Sequence, residues 1–263
     1  MKSKILLIPG ENTLEKVSCC DFLFPLDDFC VGMDRTFSLE NIPDHSYIYV
    51  NRLLDSRGIE EFVKLLPLFS KKVKGIVFED LGILNVLKEN SITVETIFYG
   101  THGVCSSYTA NSLLNDVDTV ILSNDITKEE IDEILERVTK KVGLMIFGHL
   151  PYMYSRRTLL TNYSEHFKLE KKKKRIVKEQ FSKQEFLVVE DEFGTMFYDP
   201  LVFDGRVLLN KDVSYFLVDL RFEHVSSIKQ FMQDFLTGNT IPNTTDGFLC
   251  RKTIYRLPPK GGV

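Results

Sequence analysis

What most constrains this chain is a rhythm. Short runs of apolar and β-branched residues, bounded by turn residues, recur along it, and most gaps between them carry apolar residues at helical spacing. Eight such runs predict strands at 4–8, 22–26, 47–50, 75–78, 93–98, 119–122, 143–147 and 215–219. The gaps predict helices over 58–69, where Ile59, Phe62, Val63, Leu65 and Leu66 share a face, and over 81–89, 106–115, 127–140 and 225–237. Thr127-Lys-Glu-Glu130 fits a capping box, in which hydroxyl and glutamate satisfy free backbone N–H groups reciprocally. The weakest unit follows the second strand, where only Ser38-Leu-Glu-Asn-Ile42 hints at a helical turn.

Strands alternating with helices imply a mostly parallel sheet, because each crossover helix returns the chain to the same edge and covers a face. Eight units can close as a (β/α)8, TIM-barrel-like α/β fold, with an open doubly wound sheet as the alternative. At 263 residues the chain is the size of one such barrel, so 1–263 is expected to form a single domain. One stretch, 150–210, breaks the alternation. It holds a Tyr-rich loop, a lysine-rich run and two β-like segments, Glu185-Phe-Leu-Val-Val-Glu190 and Thr195-Met-Phe-Tyr198, joined by Asp191-Glu-Phe-Gly194. This predicts a β-hairpin insertion on the rim between strands 7 and 8, with Gly194 in its turn. Phe248-Leu-Cys-Arg-Lys-Thr-Ile-Tyr-Arg256 reads as a late strand.

Hydrophobic residues at 43% and charged residues at 27% exclude the disordered and collagenous classes. The first apolar run stops at Pro9, and no segment approaches the ~20 apolar residues that cross a bilayer, so a cytoplasmic protein without a membrane partner is expected. Cys19, Cys20, Cys30, Cys105 and Cys250 are odd in number and form no CxxC pair, which suggests free thiols rather than a disulfide framework or zinc knuckle. A formal charge of −4 means that nucleic-acid binding would need a local basic patch.

In a barrel of this kind the loops after the strands form the active face. The polar residues there are Asp27, Asp28, Asn51, Arg52, Glu79, Asp80, Thr101, His102, Asn124, Asp125, His149, Asp219 and Arg221. Glu79 is the candidate base, His149 and His102 the candidate proton carriers, and Arg221 the candidate partner of an oxyanion or carboxylate. Arg156, Arg157, Tyr154, Asp80 and Asp219 are candidate substrate-binding residues. The competing readings are structural: Glu79, Asp80 and Asp125 as helix caps, His102 and His149 as hydrogen-bonded frame residues. No residue is assigned to a metal, and Gly-x-Ser-x-Gly, His-Glu-x-x-His, Gly-x-x-x-x-Gly-Lys and Gly-x-Gly-x-x-Gly patterns are all absent. The run Lys171, Lys172, Lys173, Lys174 and Arg175, continued by Lys178 and Lys183, is a concentrated positive field that could grip backbone phosphates or form a solvated face. Tyr152, Tyr154, Tyr163 and Phe167 nearby could stack bases or pin the insertion.

Three segments together resemble peptidase family U32: Gly75-Ile-Val-Phe-Glu-Asp-Leu-Gly82; Phe147-Gly-His-Leu-Pro-Tyr-Met-Tyr-Ser-Arg-Arg-Thr-Leu-Leu-Thr-Asn-Tyr163, the most specific; and Phe216-Leu-Val-Asp-Leu-Arg221. The resemblance implies peptide hydrolysis by name, but also hydroxylation of ubiquinone precursors, ribosomal RNA or the wobble uridine of tRNA in relatives that hold an iron–sulfur cluster with four cysteines. This sequence departs from those relatives, with Thr158 in place of the signature cysteine and no cysteine between Cys105 and Cys250. Cys30 could match the early ligand, but one thiolate cannot hold a cluster, so no iron–sulfur cofactor is expected. Three readings follow: a cluster-free U32 protein assisting RNA modification, such as tRNA wobble-uridine hydroxylation, with tRNA and a cluster-bearing U32 paralogue as partners; a U32-type peptidase; or a non-catalytic binding subunit.

Overall fold

The computed structural model describes residues 3–139 and 141–251. Seven parallel strands follow one another around a barrel: β1 (Lys4–Ile8), β2 (Asp21–Pro25), β3 (Ser46–Val50), β4 (Val73–Phe78), β5 (Glu95–Phe98), β6 (Thr119–Ile121) and β7 (Lys141–Ser155). The eighth stave is β11 (Tyr215–Asp219), which pairs in parallel with β1 through Lys4↔Tyr215 and with β7 through Tyr215↔Gly143. Those two ladders close the sheet on itself, which rules out the open doubly wound alternative.

The staves are near-continuous apolar runs because both of their faces are covered, as a parallel sheet requires. At the end where the strands begin, the Tyr47 and Tyr215 hydroxyls both donate to the Glu95 carboxylate, at 2.8 and 2.5 Å. The strand C-termini form the opposite end, the mouth. Helices α1 (Ser56–Val63), α2 (Leu66–Lys72), α3 (Leu81–Glu89), α4 (Ser107–Leu113), α5 (Lys128–Leu135) and α7 (Ile228–Thr237) lie between the strands. Thr127 and Glu130 form the expected capping box of α5. The single helix expected over 58–69 is two, because Pro67 sits in the first turn of α2, where a proline starts a helix but cannot continue one. After β2 the 38–42 segment forms turns and contributes no helix.

The insertion is larger than the expected hairpin. β7 runs on past the mouth for 15 residues in all, and β10 (Gly194–Asp204) pairs antiparallel along it, followed outward by β9 (Glu185–Asp191) and β8 (Lys174–Lys178). Gly194 opens β10 at the hairpin turn, with φ +143°. The lysine run is therefore partly an edge strand, which the sequence does not announce because its charges hide the alternation. Helix α6 (Leu159–His166) packs on this sheet with its free N–H groups capped from a distance: Glu190 accepts from Leu160 N at 2.6 Å and Thr161 N at 3.0 Å. The short β12 (Thr244–Thr245) pairs with β10. The late strand expected at 248–256 is not formed over 248–251, which make successive turns after a left-handed Gly247, and 252–256 lie outside the described residues.

Candidate functional site at the barrel mouth

Arg221 sits two residues beyond the last stave, and the local chain folds back so that Asp219 clamps it. Asp219 accepts from the Arg221 Nε at 2.6 Å, Nη2 at 2.5 Å and backbone N at 2.9 Å. Both side chains are buried. Burial works against the guanidinium charge, but Asp219 outweighs it and holds Arg221 well above the usual arginine range. The remaining Nη1 donates to the Tyr198 hydroxyl at 3.0 Å, and that hydroxyl donates in turn to Gly32 O at 3.0 Å. Three segments distant in sequence are thus chained together from one cation.

Glu79 follows the last residue of β4 and accepts from Thr101 Oγ1 at 3.0 Å and the Tyr49 hydroxyl at 3.4 Å. Burial pushes its pKa up to about 7, while the Thr101 hydrogen bond and the Arg221 charge pull the other way. Asn51 exchanges two hydrogen bonds with the Val31 backbone, at 2.9 and 3.1 Å, and so fixes the loop after β2 over the mouth. Cys30 in that loop donates to Tyr49 O at 3.0 Å, its thiol pushed up to about 12 by burial.

The mouth is plugged. Met196 and Tyr198 reach down from β10 onto Gly32, whose φ is +67° and where a Cβ would lie 2.5 Å from the Tyr198 hydroxyl and 2.6 Å from Met196 Cγ. Only glycine fits there. Asp191 accepts from Gly32 N at 2.7 Å, and the Arg52 guanidinium lies 3.9 Å from the centre of the Phe193 ring. What remains among Tyr49, Glu79, Tyr99, Met145, His149, Asp219 and Arg221 is a cavity of about 10 Å³. That is about the space of one water molecule.

The structure brings Glu79, His149, Asp219 and Arg221 to this common centre, but gives His149 other duties. Its Nδ1 lies 2.7 Å from Asp199 O and its Nε2 3.0 Å from Glu223 Oε1, so neither nitrogen is available to Glu79. His102 stands on the rim, half-exposed, with Nδ1 2.5 Å from Asp125 Oδ2, a hydrogen bond that raises its pKa. Asp80 has both oxygens taken by backbone donors, Gly82 N at 2.7 Å and Leu54 N at 2.6 Å, and caps α3. Tyr154, Arg156 and Arg157 lie on or just past the β7 extension, outside the plug. The Tyr154 hydroxyl donates to Phe193 O at 3.0 Å, Arg156 pairs with Asp55 at 3.0 Å, and Arg157 is exposed. Tyr198, Met196 and Gly32 had no signal in the sequence, since each acts only through a long-range contact. Glu223 was within reach of the rule that selected Arg221, two residues further on.

The family model of peptidase family U32 matches residues 39–177, more than half of the sequence. The chain belongs to peptidase family U32. Among solved structures this U32 chain is similar to the U32 peptidase Mk0906, with a TM-score of 0.50 and 13% identity over 83% of this chain and 92% of that one. At that identity the likeness is one of fold. A C-terminal domain of a putative chitinase from Desulfitobacterium hafniense DCB-2 also matches, at 9% identity and a TM-score of 0.31, over 72% of this chain and 78% of that one. No curated protein matches the sequence.

The iron–sulfur cluster that the family resemblance raises does not fit the residues of this U32 protein. Cys30 reaches the mouth, but Cys19 and Cys20 precede β2 at the opposite end of the barrel, and Thr158 stands at the start of α6. Among the described residues no group of three or more His, Cys, Asp or Glu is placed to hold a metal ion. Lys171, Lys172, Lys173 and Lys174 are exposed, with Lys171 paired to Glu165 and Lys172 to Glu170, and Arg175 donates to Glu170 O at 2.7 Å. Lys174 brings the run back toward the mouth, its Nζ 4.3 Å from the centre of the Phe222 ring. No helix among the described residues is long and apolar enough to cross a membrane.

Proposed function

We propose that this U32 protein assists RNA modification without a cluster of its own, gripping RNA along the lysine-bearing edge of the insertion, with tRNA wobble-uridine hydroxylation as the reaction served. The observation that carries the reading is the position of the charge. Between residues 165 and 185 eight Lys and Arg face four Glu in a chain of net charge −4, and they lie on or next to β8, which carries three of them and is the open edge whose Lys174 reaches Phe222. Exposed lysines on an edge strand also discourage strand pairing between copies, so the test must read RNA itself.

The chemistry would then belong to a cluster-bearing U32 paralogue acting as partner, in keeping with a mouth that leaves room for about one water molecule. Binding of bulk tRNA, measured against salt, is expected to weaken steeply. Changing Lys171 to Lys174 to alanine is expected to lower the logarithmic salt slope by roughly three. Binding unchanged by those four substitutions would overturn the proposal. In the cell, deletion of the gene is expected to remove hydroxyuridine from bulk tRNA nucleosides.

A second reading, peptide hydrolysis, is favoured by Glu79, a carboxyl titrating near 7 beside a buried arginine, suited to take a proton from water. It requires the insertion to leave the mouth. Cleavage of a peptide library that is lost in Glu79→Gln would support it.

A further inference from the structure

On the far side of His149 from the sealed mouth lies an open cleft of about 580 Å³, between α7, the β7–β10 ladder and the 239–243 segment. Its size is that of a small-molecule site. The floor is aromatic: Phe147 packs edge-on to Phe231 and Phe235 at 5.1 and 5.4 Å, and Phe231 stacks on Phe235 at 5.7 Å. Phe147 and Phe235 are fully covered, whereas Phe231 keeps part of its surface open to the cleft. At one end stands the His149–Glu223 pair, with the imidazole buried and the carboxylate one-third exposed. Glu223 Oε1 lies against His149 Nε2, while Oε2 accepts no hydrogen bond among the described residues.

We propose that this cleft is a second binding site, for a planar heteroaromatic ring carrying an N–H donor, such as a nucleobase. An aromatic floor rewards a flat π-face, and an anchored carboxylate with one open oxygen rewards a donor on the ring edge. A purely aliphatic ligand uses the floor but leaves Glu223 without its partner. An anion is repelled by Glu223 and by Asp234 on the cleft wall. The site is distinct from the lysine edge and does not depend on it.

Saturation-transfer NMR with guanosine, adenosine and uridine, and cyclohexanol as the aliphatic comparison, tests this. The nucleosides are expected to receive saturation from the wild-type protein and cyclohexanol little. Phe231→Leu, which keeps the bulk and removes the π-face, and Glu223→Gln, which keeps the shape and removes the charge, are each expected to weaken nucleoside binding about tenfold. The Lys171 to Lys174 alanine variant is expected to bind nucleosides as the wild type does, so loss of RNA binding there separates the two proposals. Circular dichroism confirms that each variant is folded. No transfer to any nucleoside, transfer indifferent to both cleft substitutions, or cyclohexanol competing on equal terms would overturn the assignment.

Discussion

The mouth and the outer edge of the insertion treat charge in opposite ways. At the mouth Arg221 and Asp219 are out of water and Glu79 is half-buried, and the arginine has each of its donor groups directed at a named acceptor. At the edge Lys171 to Lys174 stand in solvent, with ion pairs that are exposed on both sides. Buried charge is tied to the fold, because removing one partner leaves the other unsolvated, whereas exposed charge can be rewritten with little effect on folding. This difference separates the residues that hold the barrel together from those free to meet a partner.

Substitutions in the two regions can break that contrast. Arg221→Met is expected to have the largest effect, a loss of about 3–5 kcal/mol in urea unfolding, since it strands the Asp219 carboxylate; a loss under 1 kcal/mol would show that the centre is wetter than its burial implies. Next comes Glu79. Its folded pKa of about 7 exceeds the ordinary 4.5, so the folded chain keeps a proton that the unfolded chain gives up. Stability contributed below the ordinary value is lost as pH rises toward 7, by up to about 3 kcal/mol, and Glu79→Gln should flatten that slope. Tyr198→Phe removes the hydroxyl between Arg221 and Gly32, with an expected loss of about 1–3 kcal/mol by thermal unfolding. The Lys171 to Lys174 alanine variant should unfold within about 0.5 kcal/mol of the wild type. A larger loss would make the edge part of the frame.

The barrel was legible because each stave is a separate apolar run and several helices announce their own starts, as Asp80 does for α3 and Thr127 for α5. The ring of residues after the strands was legible for the same reason, since strand ends locate them. The insertion was legible only as far as its hairpin. Helix α6 takes its cap from Glu190, some thirty residues later, and β8 puts Ile176 on its exposed face with Lys174 and Lys178, and Arg175 on its half-covered face, so neither carries a local signature. The plug lay beyond sequence reasoning altogether. That Tyr198 meets Arg221 depends on a register between β7 and β10 that slips between Tyr198 and Val202, which no composition rule predicts.

β7 serves two ladders of one continuous sheet, as a stave of the barrel and as the inner beam of the insertion. The insertion is therefore a beam continuous with the barrel and propped on the mouth loops by Asp191 at Gly32 and Arg156 at Asp55, rather than a flap on a loose tether. Its root is the stretch from Gly148, at φ +135°, to Pro151, where the barrel ladder gives way to the outer one. A load applied at the lysine-bearing edge would be shared between that root, next to His149 on the stave that borders both the closed mouth and the open cleft, and the props on the mouth loops.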